Sequence, residues 1–188
     1  MPGYKIAAAM LLTTAVVRFG YLDGPPLAHT GGFGEPSCAL CHFGDTINSS
    51  EGELQLFGIE GLRAGHTSEL SVELSSTGLS VAGFQMSARS PDGETIGDFR
   101  SPDINSQVLT DSTGVQYIQH TRFGTENAVV VDGIARWAVI LDLAESSADT
   151  LILNVAANAS NGDNSALGDR IFTREVLVPL TGPGPGQQ

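Results

Sequence analysis

From about residue 53 to residue 180 the chain consists of short segments in which apolar and polar residues alternate, separated by turn-forming residues. A period of two residues is typical of β-strands that bury one face, and no helical period of 3.6 residues interrupts it. Strands at this spacing, without helices between them, predict an all-β fold, an antiparallel sandwich of about seven to nine strands. The predicted strands are residues 53–59, 68–75, 82–90, 115–121, 136–143, 150–157 and 170–180.

The alternation along three of these strands also predicts the core, because successive side chains on a strand point to opposite faces. The 188 residues are enough for one domain of ordinary size, so we expect one core. The side chains assigned to it are Leu70, Val72, Leu74, Phe84, Met86, Trp137, Val139 and Leu141.

The N-terminal segment is typical of export. Lys5 precedes an apolar run over residues 6–17, and Arg18 follows it. That run suits a signal peptide and is short for a spanning helix, which needs roughly 20 residues. No clean A-x-A cleavage site follows, so residues 1–22 are predicted to be either a signal peptide or an N-terminal hydrophobic helix that anchors the chain in a membrane.

Two further segments complete the predicted organisation of the chain. Residues 23–52 contain many glycines and prolines and are predicted to be a linker without regular structure. Residues 53–180 form the predicted sandwich. Residues 181–188, TGPGPGQQ, are predicted to be a flexible tail.

The charge of the chain excludes one class of partner. With 21 acidic and 9 basic side chains, the net charge is −12. Such a surface repels phosphate backbones, so nucleic-acid binding is not expected. A basic protein surface would be attracted, although simple solubility explains the same charge.

Cys38, Cys41 and His42 form a C-x-x-C-H motif within the predicted linker. This is the pattern of covalent haem attachment: two thiols three positions apart can bond to one edge of the porphyrin, and the adjacent histidine ligates the iron. The sequence therefore predicts one covalent haem c, with His42 as the proximal iron ligand. The apolar N-terminus supplies the export route that haem attachment requires.

Three other interpretations of the same cysteines stay open. Cys38 and Cys41 could form a structural disulfide in an oxidising compartment. A thiol–disulfide redox site is usually found in a βαβ context, which this sequence lacks. Zinc would need further Cys or His ligands.

The second axial position decides what a haem at this motif could do, because a protein ligand makes an electron-transfer centre and an open site admits small molecules. His120, near the end of a predicted strand, is the first candidate, with a core position weighed equally. His29 in the linker is a weaker candidate. A surface turn is favoured for His66, and a core position for Met86. Two-histidine ligation is the leading interpretation.

Several segments resemble the reelin-type (Reeler) domain: residues 82–89, 114–121, Trp137, 156–163 and 168–173. They are especially similar to bacterial exported proteins that place a C-x-x-C-H segment just before that domain, some of them described as choice-of-anchor proteins. The resemblance implies an immunoglobulin-like β-sandwich and an extracytoplasmic location. It implies no activity, since a fold does not define a function.

The resemblance also bears on the iron ligands. In that family a His-Thr pair matching His120 and Thr121 recurs beside the C-x-x-C-H segment, which favours His120 as the distal ligand. The resemblance covers about residues 36–178. In the bacterial proteins a sorting or anchor domain follows; here we expect any anchoring to come from the N-terminus or from a partner.

Other patterns predict less. An oxygen-rich loop contains Asn158, Asn161, Asp163, Asn164 and Asp169 and could hold calcium, but turn capping by these side chains is favoured. No G-x-S-x-G elbow and no paired general acid and base are recognisable, so we do not expect an enzyme.

The sequence therefore favours a monohaem c-type protein for extracytoplasmic electron transfer. We expect it on the periplasmic or extracellular side, as a carrier or as a subunit of a membrane redox complex such as a photosynthetic reaction centre or respiratory enzyme. The alternative is a structural or adhesive β-sandwich in which Cys38 and Cys41 form a disulfide. A haem enzyme or gas sensor has the least support.

Overall fold

The computed structural model of the protein describes residues 21–125, 130–145 and 148–180. Short 3-10 helices span Cys38–Leu40 and Ile59–Gly61, and a short α-helix, α1, spans Arg122–Thr125. The strands are β1 (Phe43–Gly44), β2 (Gly52–Phe57), β3 (His66–Ser76), β4 (Val81–Arg89), β5 (Asp98–Arg100), β6 (Ser106–Thr110), β7 (Gln116–His120), β8 (Val130–Val131), β9 (Ile134–Leu143), β10 (Thr150–Ser160) and β11 (Leu167–Pro179).

These strands form two sheets packed face to face. The six-stranded sheet has the order β1-β11-β10-β4-β7-β6, and the five-stranded sheet contains β2-β3-β9-β5 with β8 paired to β9. Neighbouring strands are antiparallel except β1, which runs parallel to β11. The fold is therefore the all-β, two-sheet sandwich that the sequence predicts.

All seven predicted strands are present, with ends shifted by no more than 3 residues. They correspond to β2, β3, β4, β7, β9, β10 and β11. The sequence did not predict β1, β5, β6 and β8. Three of these contain only two or three residues, and β6 carries one buried residue, so none shows a detectable alternation.

The inner faces of the two sheets form the core, and all eight predicted core side chains are at most 3% exposed. Phe84 of one sheet meets Trp137 of the other, with ring centroids 4.7 Å apart. The indole nitrogen of Trp137 donates to the Gly124 carbonyl at 2.9 Å. This pair therefore connects the two sheets at the centre of the core.

Within the six-stranded sheet, β4 is buried on its outer face as well, which the sequence did not predict. Alternate residues of β4 point away from the core, yet Gln85 and Ser87 are fully buried. Residues 21–37, which we call the strap, lie across this outer face. The predicted linker is therefore an irregular but packed segment in its first half, held by hydrogen bonds described below.

Most residues at the two ends of the chain lie outside the part that the structure describes. The predicted signal peptide or hydrophobic helix, residues 1–22, lies outside the described residues except for Tyr21 and Leu22. The predicted tail, residues 181–188, lies outside them entirely. Over the described residues no helix has the length and apolar character that crossing a bilayer requires.

Candidate functional site

The C-x-x-C-H motif folds into one tight turn against β10. Ser37 caps the 3-10 helix, because its side chain accepts the Ala39 N–H at 3.3 Å. The N–H groups of Cys41 and His42 both donate to the Cys38 carbonyl, at 3.2 and 3.0 Å. The backbone thus brings the two cysteines and the histidine together, as the sequence spacing requires.

Two side chains from the sheet hold the imidazole of His42. Its Nδ1 lies 2.5 Å from Oδ2 of Asp169 on β11, a residue only 1% exposed. The amide nitrogen of Asn158 on β10 lies 3.0 Å from Nδ1 and 3.5 Å from Nε2, and it donates to Asp169 at 3.3 Å. With Nδ1–H donated to the carboxylate, the lone pair of the ring lies on Nε2.

The carboxylate behind His42 is ionised. Burial acts to raise the pKa of Asp169, but hydrogen bonds from His42, Ser160 and Asn158 outweigh it and hold the pKa below its ordinary value. An ionised carboxylate bonded to one ring nitrogen fixes the imidazole and increases the basicity of the other nitrogen. His42 is therefore oriented in the way that metal-binding histidines usually are.

Cys38 and Cys41 are free thiols, and both are half-buried. Burial raises the pKa of the Cys38 thiol to about 12, and the nearby Cys41 acts in the same direction. Thiol–disulfide oxidoreductases need a lowered thiol pKa, because the thiolate is the attacking group. The environment of Cys38 therefore does not favour a reactive thiolate.

Exposed apolar side chains lie within the motif and beside it. Leu40 within it is 60% exposed, and Phe43 just after it is 54% exposed. Phe43 pairs with Leu167 at the start of β11, and Leu167 is 66% exposed. An exposed group of large apolar side chains typically marks a surface that binds something.

The strap is held to the sheet through buried glutamines. Gln85 accepts the backbone N–H of His29 at 2.7 Å and donates to the Pro26 carbonyl at 3.0 Å. Its amide also donates to Gln119 on β7 at 2.7 Å. At position 32 glycine lets the strap approach the sheet closely, since a Cβ there would lie 2.1 Å from the Asn154 side chain and would displace it.

A buried ionic cluster, which we call the clamp, fixes the far end of the strap. Glu35 pairs with Arg89 on β4 and accepts the Tyr117 hydroxyl at 2.7 Å. Its second oxygen accepts the Thr30 hydroxyl at 2.6 Å. The Arg89 guanidinium also stacks on Phe33, 4.9 Å from the ring centroid. Strap and sheet therefore share one polar network.

The clamp shifts the pKa values of two of its members, Glu35 and Tyr117. Burial acts to raise the pKa of Glu35, but hydrogen bonds from Thr30, Arg89 and Tyr117 lower it below its ordinary value. Burial and the Glu35 carboxylate raise the pKa of Tyr117 far above its usual range. At neutral pH the clamp therefore contains a carboxylate, a guanidinium and a neutral phenol.

His120, the first candidate for the distal ligand, has both ring nitrogens engaged by the backbone. Nδ1 accepts the Phe84 N–H at 2.9 Å, and Nε2 lies 3.1 Å from the Tyr21 carbonyl. Burial lowers the pKa of His120, so the ring is neutral at pH 7. It lies against Gly83, where a Cβ would come within 2.5 Å of the ring. Iron ligation by His120 would require these contacts to break.

The other predicted candidates differ in position. His29 lies in the strap over the six-stranded sheet, with Nδ1 2.9 Å from the Leu27 carbonyl. His66 is exposed and begins β3 in the opposite sheet. Met86 is fully buried in the core, as its alternation with Phe84 predicted.

The oxygen-rich loop divides into two parts. Asn161 and Asp163 cap turns, accepting the N–H groups of Asp163 and Ser165 at 3.0 and 2.7 Å. Asn158 and Asp169 face His42 instead. Across the described parts of the chain no group of three His, Cys, Asp or Glu side chains is arranged to hold a metal ion.

Sequence reasoning missed the partners of His42 and the clamp. Asp169 and Asn158 are 127 and 116 residues from His42 along the chain, so no local spacing signals the contact. Glu35 and Arg89 are 54 residues apart. Arg89 belongs to the face of β4 that points away from the core, and it is buried. Nothing in the local sequence shows that another segment covers this face.

Comparison with known proteins finds similarity at the level of solved structures alone. No family model matches the chain, and no curated protein matches it. The Reelin-N domain of F-spondin is 15% identical over 77% of this chain and 95% of that one, with a TM-score of 0.47. An uncharacterised immunoglobulin-like protein from Nocardia farcinica is 16% identical over 72% of this chain and 89% of that one, with a TM-score of 0.38.

Proposed function

We propose that this protein carries one haem c, attached at Cys38 and Cys41 with His42 as the proximal iron ligand, and that it transfers electrons outside the cytoplasm. The observation that carries the proposal is the 2.5 Å contact between Nδ1 of His42 and the buried carboxylate of Asp169. That contact leaves Nε2 as the ligating nitrogen and fixes the ring plane. A carboxylate bonded to one ring nitrogen is the arrangement that metal-binding histidines typically have.

The residues around the motif fit a porphyrin. The two thiols lie on one short turn, three positions apart, next to the ligating histidine. Leu40, Phe43 and Leu167 supply apolar surface beside the attachment positions. A macrocycle with apolar faces would remove such surface from water, at roughly 25 cal/mol for each Å² covered.

The chain's own residues would hold and orient the group. A bound haem supplies a one-electron redox centre whose potential depends on its axial ligands and their hydrogen bonds. Asp169 holds the His42 imidazole through Nδ1, which typically makes the opposite ring nitrogen a stronger donor to a metal, and Asn158 holds the carboxylate in place. A more basic proximal ligand favours the oxidised iron and lowers the reduction potential.

We further propose a periplasmic or extracellular location and a protein partner in a membrane redox complex, of the photosynthetic or respiratory kind. The apolar segment before Arg18 supports export, and membrane contact through residues 1–22 would follow if it is not cleaved. The resemblance to bacterial exported Reeler proteins with a C-x-x-C-H segment supports the same location. The net charge of −12 would steer a basic partner surface.

A haem assay tests the proposal directly. The full chain is exported to a bacterial periplasm that contains the haem-attachment machinery, and a pyridine haemochrome spectrum and intact mass are recorded. We expect one covalent haem per chain, lost in the Cys38→Ser/Cys41→Ser double variant. The His66→Ala variant is the matched control and should retain the haem.

The same assay can overturn the proposal. If a folded, correctly exported sample carries no covalent haem, the electron-transfer function is wrong. A mass lower by two hydrogens would then identify a Cys38–Cys41 disulfide and support a structural or adhesive sandwich.

A further inference from the structure

The strap carries a histidine whose position and hydrogen bonding suit a metal ligand. We propose that His29 is the second axial ligand of the iron, an inference that rests on the proposed haem at Cys38, Cys41 and His42. It replaces His120, the residue that strand position favoured. The result would be a two-histidine centre in which one ligand comes from the motif and the other from the strap.

The structure distinguishes among the other histidines of the chain. The chain has 4 histidines. The proposed function assigns His42 as the proximal ligand. His120 is 7% exposed and has both ring nitrogens in contact with backbone groups. His66 belongs to the five-stranded sheet, on the opposite side of the sandwich from the motif. His120 is also close to His42, which contributes to its lowered pKa, and its ring lies against Gly83 of β4. His29 lies in the strap over the same sheet, and its Nε2 has no hydrogen-bond partner among the described residues.

The tautomer of His29 leaves that nitrogen available. Its Nδ1 lies 2.9 Å from the Leu27 carbonyl, which can only accept, so Nδ1 carries the proton and the lone pair lies on Nε2. A histidine that ligates a metal through Nε2 typically donates Nδ1–H to a carbonyl or carboxylate in this way. His29 and His42 thus have the same protonation pattern, set by different acceptors.

Strand register places the two histidines near each other. His42 contacts Asn158, which pairs with Gly83 of β4, and the backbone of His29 bonds Gln85 two positions along the same strand. Neighbouring strands are about 4.8 Å apart and alternate residues about 6.8 Å apart, so the two anchoring points are separated by about 8 Å. The points at which the sheet holds His29 and His42 therefore lie on the same part of it.

The strap holds His29 on both sides. Its N–H is bonded to fully buried Gln85, and the next residue, Thr30, is bonded to Glu35 in the clamp. A ligand on a loop fixed at two points loses little conformational freedom when it binds. The buried network under the strap would then set the position of the second ligand, with Glu35 as a positioning residue.

Spectroscopy of full-length, haem-loaded variants tests the inference. We expect the wild type to show the low-spin spectrum of two-histidine ligation. His29→Ala should lose that spectrum and should bind carbon monoxide in the ferrous state without displacing a protein ligand. His29→Met should remain low-spin, with the reduction potential shifted upward. His66→Ala, the matched control, should leave spectrum and potential unchanged.

The outcomes separate the inference from the proposed function. If the wild type carries no haem, the proposed function fails and the inference fails with it. If haem is present but His29→Ala retains the low-spin spectrum, His29 is not the ligand. Loss of that spectrum in His120→Ala instead would assign the second position to His120.

Discussion

Single residues at the motif act through partners that are distant in sequence. His42 could be a surface residue of a mobile loop, but Asp169 and Asn158 hold it to the sheet. Asp169 is almost fully buried, and a buried carboxylate without partners would be strongly unfavourable. The buried Asp169 carboxylate therefore needs His42 as a hydrogen-bond partner, and the His42 side chain needs Asp169 to hold it in place.

Replacing Asp169 should affect both stability and redox behaviour. Asp169→Asn removes a charge-assisted hydrogen bond, so we expect the free energy of unfolding in urea to fall by about 1–3 kcal/mol at pH 7. In haem-loaded protein the reduction potential should rise, because His42 becomes less basic. Asp92→Asn, in an exposed turn, is the control. An unchanged unfolding free energy would show that the contact with His42 does not stabilise the fold.

At the scale of elements, the strap allows the six-stranded sheet to carry buried polar side chains on its outer face. The outer face of β4 carries Gln85, Ser87 and Arg89, all of them buried although polar. Buried polar groups are tolerated when they are hydrogen-bonded, and the strap supplies partners to Gln85 and Arg89. The Ser87 hydroxyl has no partner among the described residues. β4 and the strap therefore have to be considered as one packing unit.

Breaking the clamp should release the strap. Glu35→Gln leaves Arg89 buried without its counter-charge, so we expect a loss of about 3–5 kcal/mol in unfolding free energy at pH 7. Hydrogen exchange of the backbone amides of residues 29–32 should become faster. Glu60→Gln, an exposed position, should change neither measurement.

The same variant predicts a pH dependence. The pKa of Glu35 is lower in the folded protein than its ordinary value of 4.5, so the ionised form stabilises the fold. That contribution is complete above about pH 4.5 and is lost as the pH falls through the lowered pKa. The difference between wild type and Glu35→Gln should therefore shrink on acidification. A constant difference would contradict this linkage.

At the scale of the whole molecule, sandwich and strap share buried contacts and should unfold together. The single tryptophan, Trp137, is 1% exposed at the centre of the core and reports on the sandwich. The His29 amide, bonded to Gln85, reports on the strap. We expect Trp137 fluorescence and far-UV circular dichroism to show one coincident transition in denaturant, with the His29 amide exchanging at that same free energy. Exchange at much lower free energy would show that the strap opens independently.

Much of the fold follows from local patterns. Seven strands and eight core side chains were predicted because an alternation of two residues is a local consequence of strand geometry. β1, β5 and β8 were missed because two or three residues carry no period. The outer face of β4 was missed because its covering segment, rich in glycine and proline, has no regular structure that a period could reveal.

The sequence by itself determined the two-sheet class of the fold, the composition of the core and the grouping of Cys38, Cys41 and His42. Each depends on spacings of a few residues, which backbone geometry converts directly into structure. Only the tertiary structure decided that Asp169 contacts His42 and that the strap lies on β4. It also decided that the backbone bonds both nitrogens of His120, while Nε2 of His29 has no hydrogen-bond partner among the described residues. These contacts join residues far apart in the chain, so they depend on which strands are neighbours and in what register, and no local spacing encodes that.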